Sequence, residues 1–250
     1  MNTISSSEAS RADELMRKFT PYLQEIRRRI LIIVVIFVLS AFTGLFFNET
    51  IIKFLVEILS LKGVNIVFTS PFQFINLAIS CAIAAGIIGT FPFVLYQILS
   101  FLKPALRIKE FRTTIRCLPF SIILFITGFL FGGVVMKWQI EMFLAKSVSL
   151  GIGNILDISQ LMSTVILVSV FMGIAFQFPM IILLLIYLDV ITSVQLSKQR
   201  KWVYLGALFF AILLPLDSII ADLILTFPLI VLYEVTIVIS HVWERGRKKR

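Results

Sequence analysis

The chain has 250 residues, of which 59% are hydrophobic and 15% charged, with a mean hydropathy of +1.00. Soluble domains average about 45–50% apolar and about 25% charged residues, so this composition excludes a soluble globular protein and indicates a multi-span membrane protein. The formal net charge is +9, and the distribution of the charged residues along the chain indicates contact with a membrane surface and not with nucleic acid.

Six apolar segments are predicted to cross the membrane as helices, giving an all-α integral membrane fold. A helix needs about 20 residues to cross a hydrocarbon core of about 30 Å. Pro92, Pro179 and Pro228 lie in the second, fourth and sixth segments, and each removes a helical hydrogen bond. The predicted spans are Ile30–Phe47, Phe74–Phe101, Cys117–Met136, Leu161–Leu188, Val203–Leu214 and Ser218–Val242.

Lysine and arginine are unequally distributed between the two sides of this arrangement. Nineteen of the 23 precede the first span, follow the last, or lie in the second and fourth connections. The positive-inside rule therefore places both termini in the cytoplasm or its organellar equivalent. No polar block could form a second domain, so we predict one membrane domain over 1–250, with a cytoplasmic tail 1–29, a six-helix bundle 30–242 and a basic tail 243–250.

The fifth segment is unusually short. Its 12 residues cover about 18 Å at about 1.5 Å per residue, so the fifth helix and its partner, the sixth, are both predicted to be short. The following turn, with Asp217, would then lie below the outer membrane surface unless the bilayer thins. The alternative is a fifth helix that begins earlier, near Ser197.

Enzymatic chemistry has few candidate groups in this sequence. His241 is the only histidine, so a Ser–His or histidine–metal centre within the membrane lacks its parts. The sequence has no phosphate-binding G-x-x-x-x-G-K-[ST] loop. Cys81 and Cys117 are isolated in apolar segments and are predicted to behave as small hydrophobic residues. We therefore predict that the protein is not an enzyme and has no cofactor.

Polar side chains within the apolar segments are functional candidates, because burying them in lipid is costly. Gln177 is predicted either to bond carbonyls freed by Pro179, to join two helices, or to face a docked partner helix. Asp222 is predicted to be protonated or paired unless the short fifth helix lets it reach water. Glu234 is predicted near the cytoplasmic interface.

Two carboxylates on the predicted cytoplasmic side have basic neighbours. Glu25 lies in "YLQEIRRRI" and can pair with Arg28 or Arg29 at spacings i+3 and i+4, a contact worth only about 0.2–0.5 kcal/mol on an exposed helix. Glu110 lies in "PALRIKEFR". These carboxylates are either local counter-ions or acceptors for guanidinium groups of another molecule.

The motifs resemble those of the TatC family, the receptor of the twin-arginine protein translocase. "YLQEIRRRI" is similar to its His-Leu-x-Glu-Leu-Arg-x-Arg-Leu motif, with Tyr22 replacing the histidine. "FPFVLYQILSFLKPALRIKEFR", "GIAFQFP" and "PLDSIIADLILTFPLIVLYE" resemble three further family segments in the same order along the chain. Two positions depart from the family pattern: Gln177 replaces a common glutamate, and Ala221, beside Asp222, replaces a frequent glutamine.

The resemblance implies a receptor for folded proteins whose signal peptides carry paired arginines, with transport driven by the proton gradient. It implies recruitment of TatA- and TatB-like single-span subunits, a homo-oligomer within a larger complex, and a bacterial-type inner membrane or an organellar one. The implied signal-peptide-binding residues are Glu25, Glu110, Arg27 and Gln97. The implied intramembrane polar and partner-contacting residues are Gln177, Asp217, Asp222 and Glu234.

Two other functions are compatible with the residues. A small-solute or ion transporter would fit proline-broken helices with polar groups, but such proteins usually show two similar halves, and no convincing repeat is visible here. A passive assembly scaffold is the third alternative. Crosslinking to twin-arginine signal peptides distinguishes these functions from that of a receptor, since a solute transporter should show none.

Overall fold

A computed structural model of the chain is mostly α-helical. It describes residues 2–59, 65–67, 70–102, 118–150, 155–188, 190–216 and 218–248. Its elements are α1 (Asn2–Phe46), α2 (Asn48–Ile58), β1 (Asn65–Val67), α3 (Pro71–Leu102), α4 (Leu118–Ser149), β2 (Ile155–Asp157), α5 (Ile158–Ala175), α6 (Phe178–Tyr187), α7 (Ser193–Lys198), α8 (Arg200–Ile212) and α9 (Ile219–Lys248). Apolar runs form helices because a helix bonds its backbone polar groups internally, leaving few exposed to lipid.

Five helical segments in the described part of the chain are long and apolar enough to cross a membrane. They correspond to the predicted first, second, third, fourth and sixth spans. The structure delimits them as Gln24–Phe46, Phe72–Ser100, Leu118–Ser149, Ile158–Tyr187 and Ile219–Glu244. The protein is therefore a helical, multi-span membrane protein, whereas the sixth crossing and the side of the termini stay predictions.

The fifth predicted segment corresponds to α8, a helix of 13 residues. At about 1.5 Å per residue it is about 20 Å long, which is less than the hydrocarbon thickness. Helix α8 begins at Arg200, three residues before the predicted Val203 and three after the alternative start at Ser197, and Gln199 separates it from the end of α7 at Lys198.

The prediction of a short sixth helix is wrong. Helix α9 has 30 residues and passes through Pro228 without ending. The apolar part alone has 26 residues and continues to Glu244. The helix continues for four residues beyond this stretch, to Lys248, and three of the four are Arg or Lys, which favour the helical conformation.

A break between α5 and α6 divides the fourth span. Pro179, in the first turn of α6, has no N–H to donate to the carbonyl of Ala175. The α5 pattern ends before it, whereas α3 and α9 continue through Pro92 and Pro228. The turn is closed instead by Phe176 N–H donating to Met172 O at 2.9 Å and Gln177 N–H donating to Ile174 O at 2.9 Å. The break places the Gln177 side chain between helices.

The core lies between α3, α4, α5 and the first half of α9, with Leu77, Met162, Met172 and Leu225 fully buried. Helices α4 and α5 approach closely because α4 presents glycines to α5. A Cβ on Gly132 would lie only 2.8 Å from Ser169 Cα. Small residues at such crossings allow the close backbone contact that stabilises membrane helix pairs.

A short parallel strand pair closes the end of the molecule where α3 and α5 begin. Asn65 of β1 pairs with Ile155 of β2, in a three-residue register. Next to it, Gln73 Nε2 donates to Asp157 Oδ2 and Ser159 Oγ donates to the carbonyl of Gln73 at 2.8 Å. Asp157 Oδ1 also accepts from Ser159 N–H at 2.9 Å and so caps α5. These contacts hold the beginnings of the two helices together.

Candidate functional site

The predicted binding residues Glu25 and Gln97 are brought together by Arg29. Arg29 Nε and Nη2 donate to Glu25 Oε1 at 3.1 and 2.6 Å. Its Nη1 donates to Gln97 Oε1 at 2.8 Å and to the Gln97 backbone carbonyl at 3.1 Å. We call Glu25, Arg29 and Gln97 the Arg29 cluster; it joins α1 to α3.

Both bonds between Arg29 and Glu25 end on the same carboxylate oxygen. Within the described residues, Glu25 Oε2 accepts no hydrogen bond. The Glu25 side chain is 46% exposed, whereas that of Arg29 is 19% exposed. Glu25 therefore has a local counter-ion, as one of the two sequence alternatives predicts, and also an open acceptor oxygen.

The other two residues of the predicted binding set have different positions. Arg27 lies on α1 and is exposed, as is its neighbour Arg28. Glu110 lies outside the described residues. The structure thus places Glu25, Gln97 and Arg27 at one end of the bundle, near the junction of α1 and α3.

An apolar groove of about 460 Å³ begins beside the Arg29 cluster, lined by Ile33 of α1 and Ile98 of α3. It runs between α1, α3, α4 and α6, and its polar lining consists of Thr90, Ser121 and Gln177. Thr90 is 3% exposed, and its Oγ1 has no hydrogen-bond partner within the described ranges. The groove extends from the charged end of the molecule towards its middle.

Gln177 faces the protein interior and is 4% exposed. Its Oε1 accepts from Ser121 Oγ, and its Nε2 donates to the Ser121 carbonyl at 3.1 Å. Of the three sequence alternatives, the geometry corresponds to a bond that joins two helices, here the α5–α6 turn and α4. Contact with a partner helix stays a prediction.

Asp222 lies in the first turn of α9. Its Oδ1 is buried and has no hydrogen-bond partner among the residues that the structure describes. Its backbone carbonyl accepts from Thr226 Oγ1 at 2.7 Å. Asp217, the other aspartate of this region, lies outside the described residues.

Glu234 lies on α9 opposite the beginning of α8. Arg200 Nη2 lies 3.1 Å from Glu234 Oε2, and Tyr204 Oη donates to Glu234 Oε1. The neighbouring Tyr233 Oη donates to the Leu196 carbonyl at 2.7 Å. Glu234 thus links the two helices. Its partners could not be predicted from the sequence, because they come from a different segment with no fixed spacing to Glu234.

Metal binding has no support in the described residues, which contain no group of three or more His, Cys, Asp or Glu side chains able to hold an ion. Cys81 is a buried free thiol, in line with its predicted hydrophobic role. Cys117 lies outside the described ranges.

The sequence and fold match one protein family throughout most of the chain. Residues 21–228 match the family described as Sec-independent protein translocase protein (TatC). The chain belongs to the TatC family. It is a component of Sec-independent protein transport and not an enzyme.

Two relatives and a solved structure illustrate this membership. The TatC protein of Listeria innocua is 32% identical over 228 residues, covering 91% of this chain and 92% of that protein. TatCy of Bacillus subtilis is 30% identical over 234 residues, covering 91% of this chain and 90% of that protein. A crystal structure of the twin-arginine translocase receptor TatC in DDM has a TM-score of 0.79 at 29% identity, covering 87% of this chain and 98% of that chain.

Proposed function

We propose that this TatC-family protein is a receptor that binds the paired arginines of twin-arginine signal peptides on folded cargo. The observation that carries the proposal is Glu25, whose Oε1 is held by Arg29 while Oε2 accepts no bond from the described residues. An ionised carboxylate oxygen is a strong acceptor for a guanidinium group. Its partial exposure leaves it accessible to a peptide.

Glu110 is proposed as the second carboxylate acceptor, on the strength of its match to the family motif. Exposed Arg27 is proposed to contact the signal peptide next to Glu25. The long-range attraction of two carboxylates would favour a peptide that carries two adjacent cations over one that carries a single cation.

We further propose that TatA- and TatB-like single-span subunits dock on the protein within a larger oligomer and that the proton gradient drives transport. A second apolar groove, of about 440 Å³, lies between α5, α6, α8 and α9 and includes Phe178, Trp202 and Gly206. An apolar helix fits such a surface by close packing against small residues. Intramembrane polar groups are proposed to assist, namely Gln177, Asp217, Asp222 and Glu234.

The proposed membrane arrangement is a single domain with six crossings and both termini in the cytoplasm of a bacterial-type inner membrane, or the equivalent side of an organellar membrane. It is supported by the strong bias of Lys and Arg to one side. The short α8 would make the fifth crossing, with local thinning of the bilayer compensating for its length.

Photo-crosslinking tests the receptor proposal. A photoreactive residue at Gln24, next to Glu25, should crosslink a twin-arginine signal peptide and should do so less with a twin-lysine peptide. A matched probe at exposed Gln160, beside the strand pair at the other end of the bundle, should crosslink neither. Equal crosslinking of both peptides at Gln24, or none at all, would contradict the proposal.

A further inference from the structure

The guanidinium of Arg29 is almost fully used inside the protein. Arginine carries five N–H donors, and all three of its nitrogens here donate to Glu25 or Gln97. The side chain is only 19% exposed. Arg29 therefore acts as a fixed connection between α1 and α3 rather than as a free surface charge.

Both oxygens of Gln97 already accept from Arg29 in this arrangement. Its side-chain oxygen and its backbone oxygen both receive Arg29 Nη1, at 2.8 and 3.1 Å. The rest of its amide is an NH₂ group, which only donates and cannot bind a cation. The sequence-based assignment of Gln97 to direct signal-peptide binding stays a prediction, and its bonds to Arg29 support a different role.

The bonds from Arg29 to Gln97 restrict the motion of the Arg29–Glu25 pair. A pair at i and i+4 on an exposed helix is weak and mobile when no third group holds it. Here the Arg29 side chain is tied to α3, so the position of Glu25 Oε1 depends on a second helix. A side chain held in this way loses less freedom when a ligand binds, which increases affinity.

We propose that Gln97 and Arg29 are positioning residues that hold Glu25 with Oε1 occupied and Oε2 free to receive one guanidinium of the signal peptide. This inference rests on the proposed receptor function and deepens it. Gln97 holds the guanidinium of Arg29, and Arg29 in turn holds the carboxylate of Glu25. Of the three residues, Glu25 alone contacts the incoming arginine.

Affinity measurements with the full chain in lipid nanodiscs test the inference, using a labelled twin-arginine peptide. Gln97→Leu removes the side-chain acceptor and should weaken binding about fivefold, the scale of one lost hydrogen bond. Gln97→Glu keeps an acceptor for Arg29 and should bind within about twofold of the unmodified chain, the effect of a few tenths of a kcal/mol. Gln160→Leu, far from the cluster, is the matched control and should have no effect.

The same substitutions in a Glu25→Gln background separate positioning from a general effect on folding. The loss caused by Gln97→Leu should disappear there, because the carboxylate that it positions is gone. A loss of equal size in both backgrounds would overturn the inference.

Arg29→Gln distinguishes positioning from competition for Glu25. Positioning predicts weaker peptide binding in this variant, whereas competition predicts tighter binding because Oε1 is released. Tighter binding would overturn the inference and leave the receptor function standing. If the unmodified chain itself bound twin-arginine and twin-lysine peptides equally, the proposed function would fail, and the inference with it.

Discussion

Replacing Gln177 by leucine should destabilise the fold through the loss of its two bonds to Ser121. The Gln177 side chain is only 4% exposed. Because leucine has a similar size, the substitution removes the two hydrogen bonds and changes the packed volume little. It leaves the Ser121 hydroxyl and carbonyl without the partners seen in the structure.

The magnitude follows from the number of bonds. Interhelical hydrogen bonds in membrane proteins contribute about 0.6 kcal/mol on average and at most about 1.7 kcal/mol, so two of them give about 1–2 kcal/mol for Gln177→Leu. Ser121→Ala removes only the hydroxyl donor and keeps its carbonyl, so it should cost about half as much. The double variant should show coupling between the two sites, because both substitutions remove the same bond.

The assay is unfolding of the purified chain in mixed micelles, followed by tryptophan fluorescence. Gln139→Leu is the matched control, since the Oε1 of Gln139 is also buried but has no hydrogen-bond partner in the described part of the chain. It should be close to neutral or stabilising, because leucine removes an unsatisfied polar atom. If Gln177→Leu is no less stable than Gln139→Leu, or if the effects of the Ser121 and Gln177 substitutions are strictly additive, the bonds between these two residues do not stabilise the fold.

Three further outcomes are expected. A membrane-impermeant thiol label should not reach cysteines placed at Ser5 or Lys248 in intact cells but should reach one at Lys137, and labelling of either terminal site would contradict the topology. Asp157→Ala should lower stability by about 1–2 kcal/mol through the lost helix cap and the lost Gln73 contact; an unchanged unfolding midpoint would show that the link is not needed. Arg200→Gln should cost under about 1 kcal/mol, since its ion pair with Glu234 is partly exposed, and a larger loss would indicate a role beyond that pair.

The long apolar helices were predictable because lipid burial requires both length and low polarity, and these are properties of the sequence itself. Proline lacks the N–H that a helix needs, which is consistent with the break at Pro179. Because Pro92 and Pro228 lie inside continuous helices, the sequence did not show which proline would end a helix. The end of α9 at Lys248 was not predictable from hydropathy, because it depends on the helical preference of polar residues beyond the apolar stretch.

Contacts between distant segments account for most of what the sequence left open. Glu25 and Arg29 are four residues apart, and their pairing follows from helix geometry. Gln97 lies 68 residues from Arg29, and Ser121 lies 56 residues from Gln177, so helix periodicity does not relate them. The motif match marked Gln97 as functional but could not tell a residue that binds the peptide from one that positions another side chain.

The strand pair β1–β2 was missed for a related reason. Each strand has three residues, too few to establish an alternating pattern. Its parallel pairing joins segments about 90 residues apart, which only the assembled helices bring together.

The most direct test of the proposed receptor function is the affinity of Glu25→Gln for a twin-arginine peptide, because this change keeps the side-chain shape and removes its charge. Charged hydrogen bonds contribute about 1.5–3 kcal/mol, and the 46% exposure of Glu25 favours the lower end, so binding should weaken about tenfold. Expression and membrane insertion should not change.

The same measurement with a peptide whose arginines are replaced by glutamine completes the cycle. With this peptide Glu25→Gln should have little effect, since no guanidinium remains to bind Oε2. An equal loss of affinity for both peptides would show that Glu25 is only the local counter-ion of Arg29.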